Sequence, residues 1–431
     1  MTTAAYQARF AAATLRIDGD VAVLSVNHPP VNALSQVVRQ GLLEGLQAAK
    51  ARPEVKALVL ICEGRTFLAG ADITEFGKPP QPPSLYSVQD EIEFAPWPVV
   101  AAIHGTSLGG GLEVALCAHY RVAVPSARCG LPEVHLGLLP GAGGTQRLPR
   151  IASVAKALEM VTFGTHVGAQ ECLAMGLVDQ LVDEGRLLDG AMAFARQVLA
   201  EGRPLRKVRD SNDKLLAARG QPQIFATFRA ANAKRFRGFL APEYNIRCIE
   251  AAVNGSWDEG VATERALFRE PVTGIQSKAQ RYVFFAERQA QKIPDVPADT
   301  PTLPVKAVGV IGAGTMGGGI AMNFANVGLP VTLVETSQQA LDRGLGVVRR
   351  NYENTAKRGK LTAAQVEQRM ALLTGTLDLQ ALAGCDLVIE AAFENMAIKK
   401  GLFGQLDRIV KPGAVLATNT SALDVNEIAS A

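Results

Sequence analysis

Two glutamates twenty residues apart, Glu113 and Glu133, stand in settings that suit proton transfer. Glu113 follows three glycines in "SLGGGLEVAL" (107–116), and Glu133 follows a proline in "CGLPEVHLG" (129–137). A third stretch, "FLAGADI" (67–73), sets a glycine between alanines where it would end a strand and present a backbone N–H. Two N–H groups from separate glycine-rich turns, aimed at one oxygen, make an oxyanion hole. Two carboxyls beside it can share one water and one proton. Taken singly, Glu113 also reads as a first-turn acid that complements a helix dipole, and Glu133 as a solvated loop carboxylate.

The elements that must position these residues follow from apolar spacing. "TLRIDGDVAVLSV" (14–26) reads as two strands about a Gly-Asp turn, and "VRQGLLEGLQAAKA" (38–51) as an amphipathic helix. "VKALVLICEG" (55–64) and "PVVAAIHG" (98–105) read as buried strands, the second followed at once by the triple glycine and a helix. Residues 119–148 alternate short strands with Gly/Pro loops, and the chain from 153 to about 270 reads as mainly helical. Repeated strand–helix units imply an α/β layer structure. Residues 274–292 form a long helical stretch, and "IPDVPADTPTLP" (293–304), with four prolines, is the clearest linker.

Composition narrows the classes. The 431 residues suffice for two or three domains. Forty-four Lys and Arg against 41 Asp and Glu argue against a nucleic-acid partner. Six scattered cysteines without a C-x-x-C pair, and five histidines without H-E-x-x-H, argue for reduced buried thiols and against a metal site. No apolar run is long enough to span a bilayer. The N-terminal segment lacks a signal-peptide core but leaves a short organelle presequence open.

After the linker, "VKAVGVIG" runs into Gly312-Ala313-Gly314-Thr315-Met316-Gly317, then a helix, then the strand "PVTLVE" ending at Glu335. A G-x-G-x-x-G between strand and helix lets a pyrophosphate approach the helix N-terminus, and an acid about 20 residues on suits ribose hydroxyls. The acid would repel a 2′-phosphate, so NAD is favoured over NADP, with FAD as the competitor. Further strands read at 385–395 and 414–423.

The first unit resembles the crotonase (enoyl-CoA hydratase/isomerase) superfamily in "HPPVNALS", "RTFLAGADI", "PVVAAIHGTSLGGGLEVALCAHYRVA", "CGLPEVHLGLLPGAGGTQRLPR" and "EMVTFG". The resemblance implies that the N–H groups of Ala71 and Gly110 hold a thioester oxygen while Glu113 and Glu133 act as the two acids. It also implies that Asn32, Ala33, Leu34, Ala69 and Asp72 line a coenzyme A site. The second unit is similar to the NAD domain of L-3-hydroxyacyl-CoA dehydrogenases in "VGVIGAGTMGGGIA", "DLVIEAAFENMAIKK" and "ATNTSAL". That similarity assigns Glu394 and Lys399 to the cofactor and Ser421 to the substrate hydroxyl. The family's catalytic histidine has no counterpart, since all five histidines precede residue 167. A fragment of a longer enzyme, or a vestigial second unit, is therefore expected.

The order of parts is that of the β-oxidation multifunctional enzymes, and "YVFFAERQAQK" looks most like the monomeric, peroxisomal-type members and their bacterial relatives. There the helix helps hold coenzyme A, which points to Phe284 and Arg288; a core Phe and a surface Arg are the plain alternative. The basic run "RPLRKVR" (203–209) reads as a solvated face in preference to a phosphate site. The expected fold is α/β. A crotonase β-β-α spiral (1–200) carries a helical extension (201–292), and linker 293–304 joins it to a partial Rossmann-type NAD-binding domain (305–431). The expected activity is hydration of a trans-2-enoyl-CoA to the 3-hydroxyacyl-CoA, with isomerase as a side activity. Another acyl-CoA reaction such as hydrolysis, or a non-catalytic CoA- or NAD-binding module, stands as the alternative. An acyl-CoA thioester is the expected partner of a monomer or small oligomer, in bacterial cytoplasm or, in a eukaryote, the peroxisome.

Overall fold

The computed structural model describes residues 6–297 and 299–431. The first five residues of the segment weighed as a presequence, and Ala298 of the linker, lie outside the described residues. The chain divides into two compact units between Ile293 and Pro294.

The first unit contains strands β1 (Gln7–Arg9), β2 (Ala13–Asp18), β3 (Val21–Val26), β4 (Ala57–Cys62), β5 (Val99–Ile103), β6 (Thr106–Leu108), β7 (Tyr120–Ala123), β8 (Arg128–Gly130), β9 (Val167–Gly168) and β10 (Gln180–Leu181). Seven of them form one sheet in the order β1-β2-β3-β4-β5-β7-β10. β1 pairs antiparallel with β2, β2 pairs antiparallel with β3 about the Gly19 turn, and from β3 onward every pairing is parallel. The parallel strands are apolar without alternation, "ALVLIC" in β4 and "VVAAI" in β5, because both faces are covered. Helix Gln36–Lys50 covers one face with Val38, Leu42, Leu46 and Ala49, a stripe at helical spacing. A smaller sheet, β6-β8-β9, is built from the segments that follow β5 and β7 and from β9, which follows helix Val154–Phe163.

The helical part ends in helices Ala241–Asn254, Trp257–Thr273 and Ile275–Ala290. A capping box of Ser256 and Glu259 starts the second. The six cysteines are free and buried, and among the described residues no helix is long and apolar enough to cross a membrane.

The second unit is a five-stranded parallel sheet: β11 (Val308–Ile311), β12 (Val331–Val334), β13 (Leu373–Thr376), β14 (Leu387–Glu390) and β15 (Val415–Thr418), ordered β13-β12-β11-β14-β15. The order reverses at β11, so a crevice opens beyond the ends of β11 and β14, where open α/β sheets bind ligands. Ile311 and Glu390 are register partners at that point.

Candidate active site

The segments that leave the C-terminal ends of β4 and β5 run side by side. Phe67 N–H donates to the His104 carbonyl at 2.9 Å, and Leu108 N–H to the Leu68 carbonyl at 3.1 Å. The stretch "FLAGADI" does not end a strand, as its composition suggested: β4 stops at Cys62, a turn at Gly64 follows, and 67–72 is a loop. An isolated parallel bridge between Leu34 and Ala71 fixes it. The triple glycine likewise does not follow β5 directly, because the chain turns at Gly105 and β6 intervenes.

Each of the three glycines answers a separate constraint. Gly109 has φ +51°, a conformation that a β-carbon penalises. A β-carbon on Gly111 would stand 2.0 Å from the Leu68 carbonyl oxygen, so this glycine lets the helix start press against the 67–70 segment. A β-carbon on Gly110 would stand 3.5 Å from the Ala71 nitrogen and 3.1 Å from Leu34 Cδ1. Gly110 is the first residue of helix Gly110–Ala115, so its N–H has no intrahelical acceptor. Among the described residues neither this N–H nor that of Ala71 donates a hydrogen bond within the protein.

Glu113, in the first turn of that helix, is 2% exposed. Its Oε1 accepts the N–H groups of Ala142 and Gly144, both at 2.8 Å, and its Oε2 has no protein partner among the described residues. Burial raises its pKa, against the two amides and the charge of Arg147. Arg147 is itself paired with the buried Glu93 at 3.1 and 2.8 Å. Glu133, in the 3₁₀ turn Glu133–Leu136, lies against Gly109. Its Oε2 is buried and has no hydrogen-bond partner among the described residues, which excludes the solvated-loop reading. Burial first, then the charge of Glu113, hold its carboxyl well above the usual range. Two acids with unequal environments are thus set beside two unpaired N–H donors.

The residues assigned to coenzyme A divide. Leu34, Ala69 and Ala71 belong to the bridged loop, and Ala33 precedes it. Asn32, at φ +52°, spends its side-chain amide on the carbonyls of Glu63 and Thr66, which locks the turn against the 63–66 segment. The Asp72 carboxylate caps the following 3₁₀ turn by accepting from Thr74 N–H. Phe284 and Arg288 stack on each other at 3.2 Å, and no hydrogen bond among the described residues ties them to the 69–72 loop. Arg281, one turn earlier, instead sits 5.7 Å from the Phe76 ring beside that loop. The 203–209 run is not simply a solvated face. Arg203 lies over Phe194, Arg206 over Tyr120, Lys207 over Phe94 and Arg209 over Trp257.

One buried acid escaped the sequence reading. Glu264, from helix Trp257–Thr273, is fully shielded and reaches the segment that also holds Glu113. Its signal was faint: Gly260, one turn earlier on the same face, permits a close approach, since a β-carbon there would stand 2.0 Å from Gln146 Oε1.

The glycine motif of the second unit fits a dinucleotide. Gly312 turns at φ +96°, a β-carbon on Gly317 would stand 1.8 Å from the Gly312 carbonyl oxygen, and Gly314 faces open space. These are the turn, the helix-to-strand packing and the room for a pyrophosphate. Glu335 Oε1 accepts Ala313 N–H at 2.7 Å, beside the motif. Glu394 accepts the hydroxyl of Thr420 and the N–H of Ser421, which hold its pKa down to about 2. Lys399 is 1% exposed, with its ammonium 2.8 and 2.9 Å from the oxygens of buried Glu390 and 3.3 Å from Glu394. The structure therefore gathers Glu394, Lys399 and Ser421, but spends the Lys399 charge on the protein.

A backbone cradle faced by paired acids at the ends of a parallel sheet, followed by a dinucleotide fold, defines a crotonase-class α/β protein with a nucleotide-binding second unit. The chain belongs to the enoyl-CoA hydratase/isomerase family, whose model matches residues 16–235. The model for the 3-hydroxyacyl-CoA dehydrogenase NAD binding domain matches residues 307–431. Similar proteins include the peroxisomal bifunctional enzymes of Danio rerio, 42% identical over 95% of this chain and 56% of that protein, and of Homo sapiens, 39% identical over 96% and 57%. A glyoxysomal fatty acid beta-oxidation multifunctional protein of Cucumis sativus is 36% identical over 95% of this chain and 58% of its own length. The chain thus spans less than two thirds of the length of these relatives.

Proposed function

We propose that the first unit hydrates trans-2-enoyl-CoA thioesters to 3-hydroxyacyl-CoA. The observation that carries this reading is the pair of unpaired N–H groups, Ala71 and Gly110, beside two buried carboxyls of unequal environment. The thioester oxygen accepts from both N–H groups, which stabilise the enolate-like transition state. Glu113, its Oε1 held by two amide donors, takes a proton from water through its free Oε2. Glu133, whose carboxyl burial and then the charge of Glu113 push up, delivers a proton to the α-carbon. Coenzyme A lies along the 32–34 and 69–72 loops.

In the second unit, Gly312, Gly314 and Gly317 with Glu335 would hold NAD, which as a hydride acceptor would serve oxidation of a 3-hydroxyacyl-CoA. Glu394 would contact the cofactor and Ser421 the substrate hydroxyl. The name of the Cucumis sativus relative, a glyoxysomal fatty acid beta-oxidation multifunctional protein, supports a place in fatty-acid β-oxidation. The test is loss of enoyl absorbance when purified protein meets crotonyl-CoA. No loss at any protein concentration would refute the hydratase reading.

A further inference from the structure

The segment Ala142–Thr145 lies between two buried glutamates. Ala142 and Gly144 donate their N–H groups to Glu113 Oε1 at 2.8 Å. The alternate N–H groups, of Gly143 and Thr145, donate to Glu264 at 2.6 and 3.2 Å, and the Thr145 hydroxyl lies 2.5 Å from Glu264 Oε2. Gln146 Nε2 donates to Thr145 Oγ1 and to the Cys248 carbonyl, fixing the same stretch from its other end.

Gly143 and Gly144 open helix Gly144–Ile151, whose first turn closes on the Gly143 carbonyl, while the N–H groups of 143–145 have no acceptor within the helix and take theirs from outside it. Helix Leu85–Glu93 contributes Tyr86, whose hydroxyl donates to the Gly141 carbonyl, and Gln89, which donates to that of Ala142. Neither reaches the amides of 143 and 145. Burying a carboxyl is costly unless its hydrogen bonds are made, and all those of Glu264 go to this segment.

We infer that Glu264 is a positioning residue for Glu113: by gripping the amides of Gly143 and Thr145 it makes those of Ala142 and Gly144 converge on one oxygen of the base. The inference rests on the hydratase reading and deepens it. Its consequence is a protonation effect, because two amide donors favour the charged form of Glu113. Loosening them raises the pKa of Glu113. Removing a neighbouring negative charge would act the other way, but burial and the charge of Glu113 push Glu264 up to about 8, so below that pH it carries a proton and its removal takes no charge away. The ionisable groups that face Glu264 are Tyr86, Glu113, Glu133, Arg147 and Cys248. Those around Glu113 are Tyr86, Cys117, Glu133, Arg147 and Glu264.

The experiment is the pH dependence of crotonyl-CoA hydration by the full chain. Glu264→Ala should lower kcat at least about tenfold with KM within about threefold, and move the acid limb of kcat/KM up by about half a pH unit or more. Glu264→Gln matches the protonated carboxyl in shape and keeps the acceptor for Gly143, losing only the longer one for Thr145 N–H, so it should restore kcat to within about threefold of wild type and most of the acid-limb shift. Thr145→Val leaves both carboxyls in place and should shift the acid limb in the same direction by less; it decides the matter if Glu264→Ala does not fold. An acid limb unmoved in Glu264→Ala, or in Thr145→Val where that variant decides, overturns the inference, as does equal loss in the Ala and Gln variants. Absence of hydration by the unaltered chain would instead strike the functional reading beneath it.

Discussion

Glu133 packs against Gly109: a β-carbon on that glycine would stand 2.9 Å from Glu133 Oε1. This acid is thereby seated against the residue that precedes the Gly110 N–H. Proton donor and oxyanion donor keep a fixed spacing because backbone, not a flexible side chain, separates them. Glu113 approaches from the helix that the same glycines begin.

From this arrangement, Glu113→Gln and Glu133→Gln should each cost at least about two orders of magnitude in kcat for crotonyl-CoA hydration. Circular dichroism must show both variants folded. Near wild-type turnover in either folded variant would remove that residue from the acid–base pair.

Gly110→Val tests the cradle. Its side chain must enter the space between Leu34 Cδ1 and the Ala71 nitrogen, 3.1 and 3.5 Å from the β-carbon. Displacing one oxyanion donor should cost about 2.7–4 kcal/mol in the transition state, read as a loss in kcat/KM. Unaltered hydration kinetics would show that the oxygen binds elsewhere.

These residues were legible because the physics that places them is local. Positive φ at Gly109, close approach at Gly111 and an acid in the first helical turn all fall within one ten-residue stretch. Glu264 was not legible for the opposite reason. It meets Thr145 across 119 residues, and in "WDEGVATERALFREPVT" one acid among several looks like a solvated face. Strand β13, "LTGT", escaped because it is short and polar, and Glu390 lay unremarked inside the 385–395 strand although it is half of a buried pair. The aromatic seats of the 203–209 run come from four other segments, which composition cannot bring together.

Stability should report the buried proton on Glu264. Its folded pKa of about 8 stands above the ordinary carboxyl value of 4.5. Between the two the folded state binds the extra proton, so this group's contribution to stability is full below the lower value and is lost as pH rises through the upper one. Glu264→Gln has no such proton to lose. The difference in Tm, variant minus wild type, should therefore increase from pH 5 to pH 9. A difference that stays constant would mean that Glu264 is already charged in the folded protein at low pH.

The glycines of the second unit should separate binding from folding. Gly314→Ala adds a methyl to open space, so it should leave Tm unchanged while weakening NAD binding in calorimetric titration. Gly317→Ala must displace the Gly312 carbonyl, 1.8 Å from the new carbon, and should lower Tm with or without NAD. Reversed effects at the two positions would mean that the pyrophosphate does not approach at Gly314.

Lys399 should prove a structural cation before anything else. Its ammonium is buried against Glu390, whose oxygens also accept from Ala392 N–H at 2.7 Å and the Thr418 hydroxyl at 2.6 Å. Two neutral donors cannot replace the lost charge, and Glu390 is fully shielded at the switch point of the sheet. Lys399→Met, close in volume, should thus destabilise the second unit by about 3–5 kcal/mol, the usual cost of leaving one member of a buried pair behind. Adding Glu390→Gln should recover much of that loss, because it removes the stranded charge and keeps the hydrogen-bonding shape. Urea unfolding of both variants checks it. A Lys399→Met protein of wild-type stability that had lost NAD binding would return the residue to the cofactor role its motif suggests.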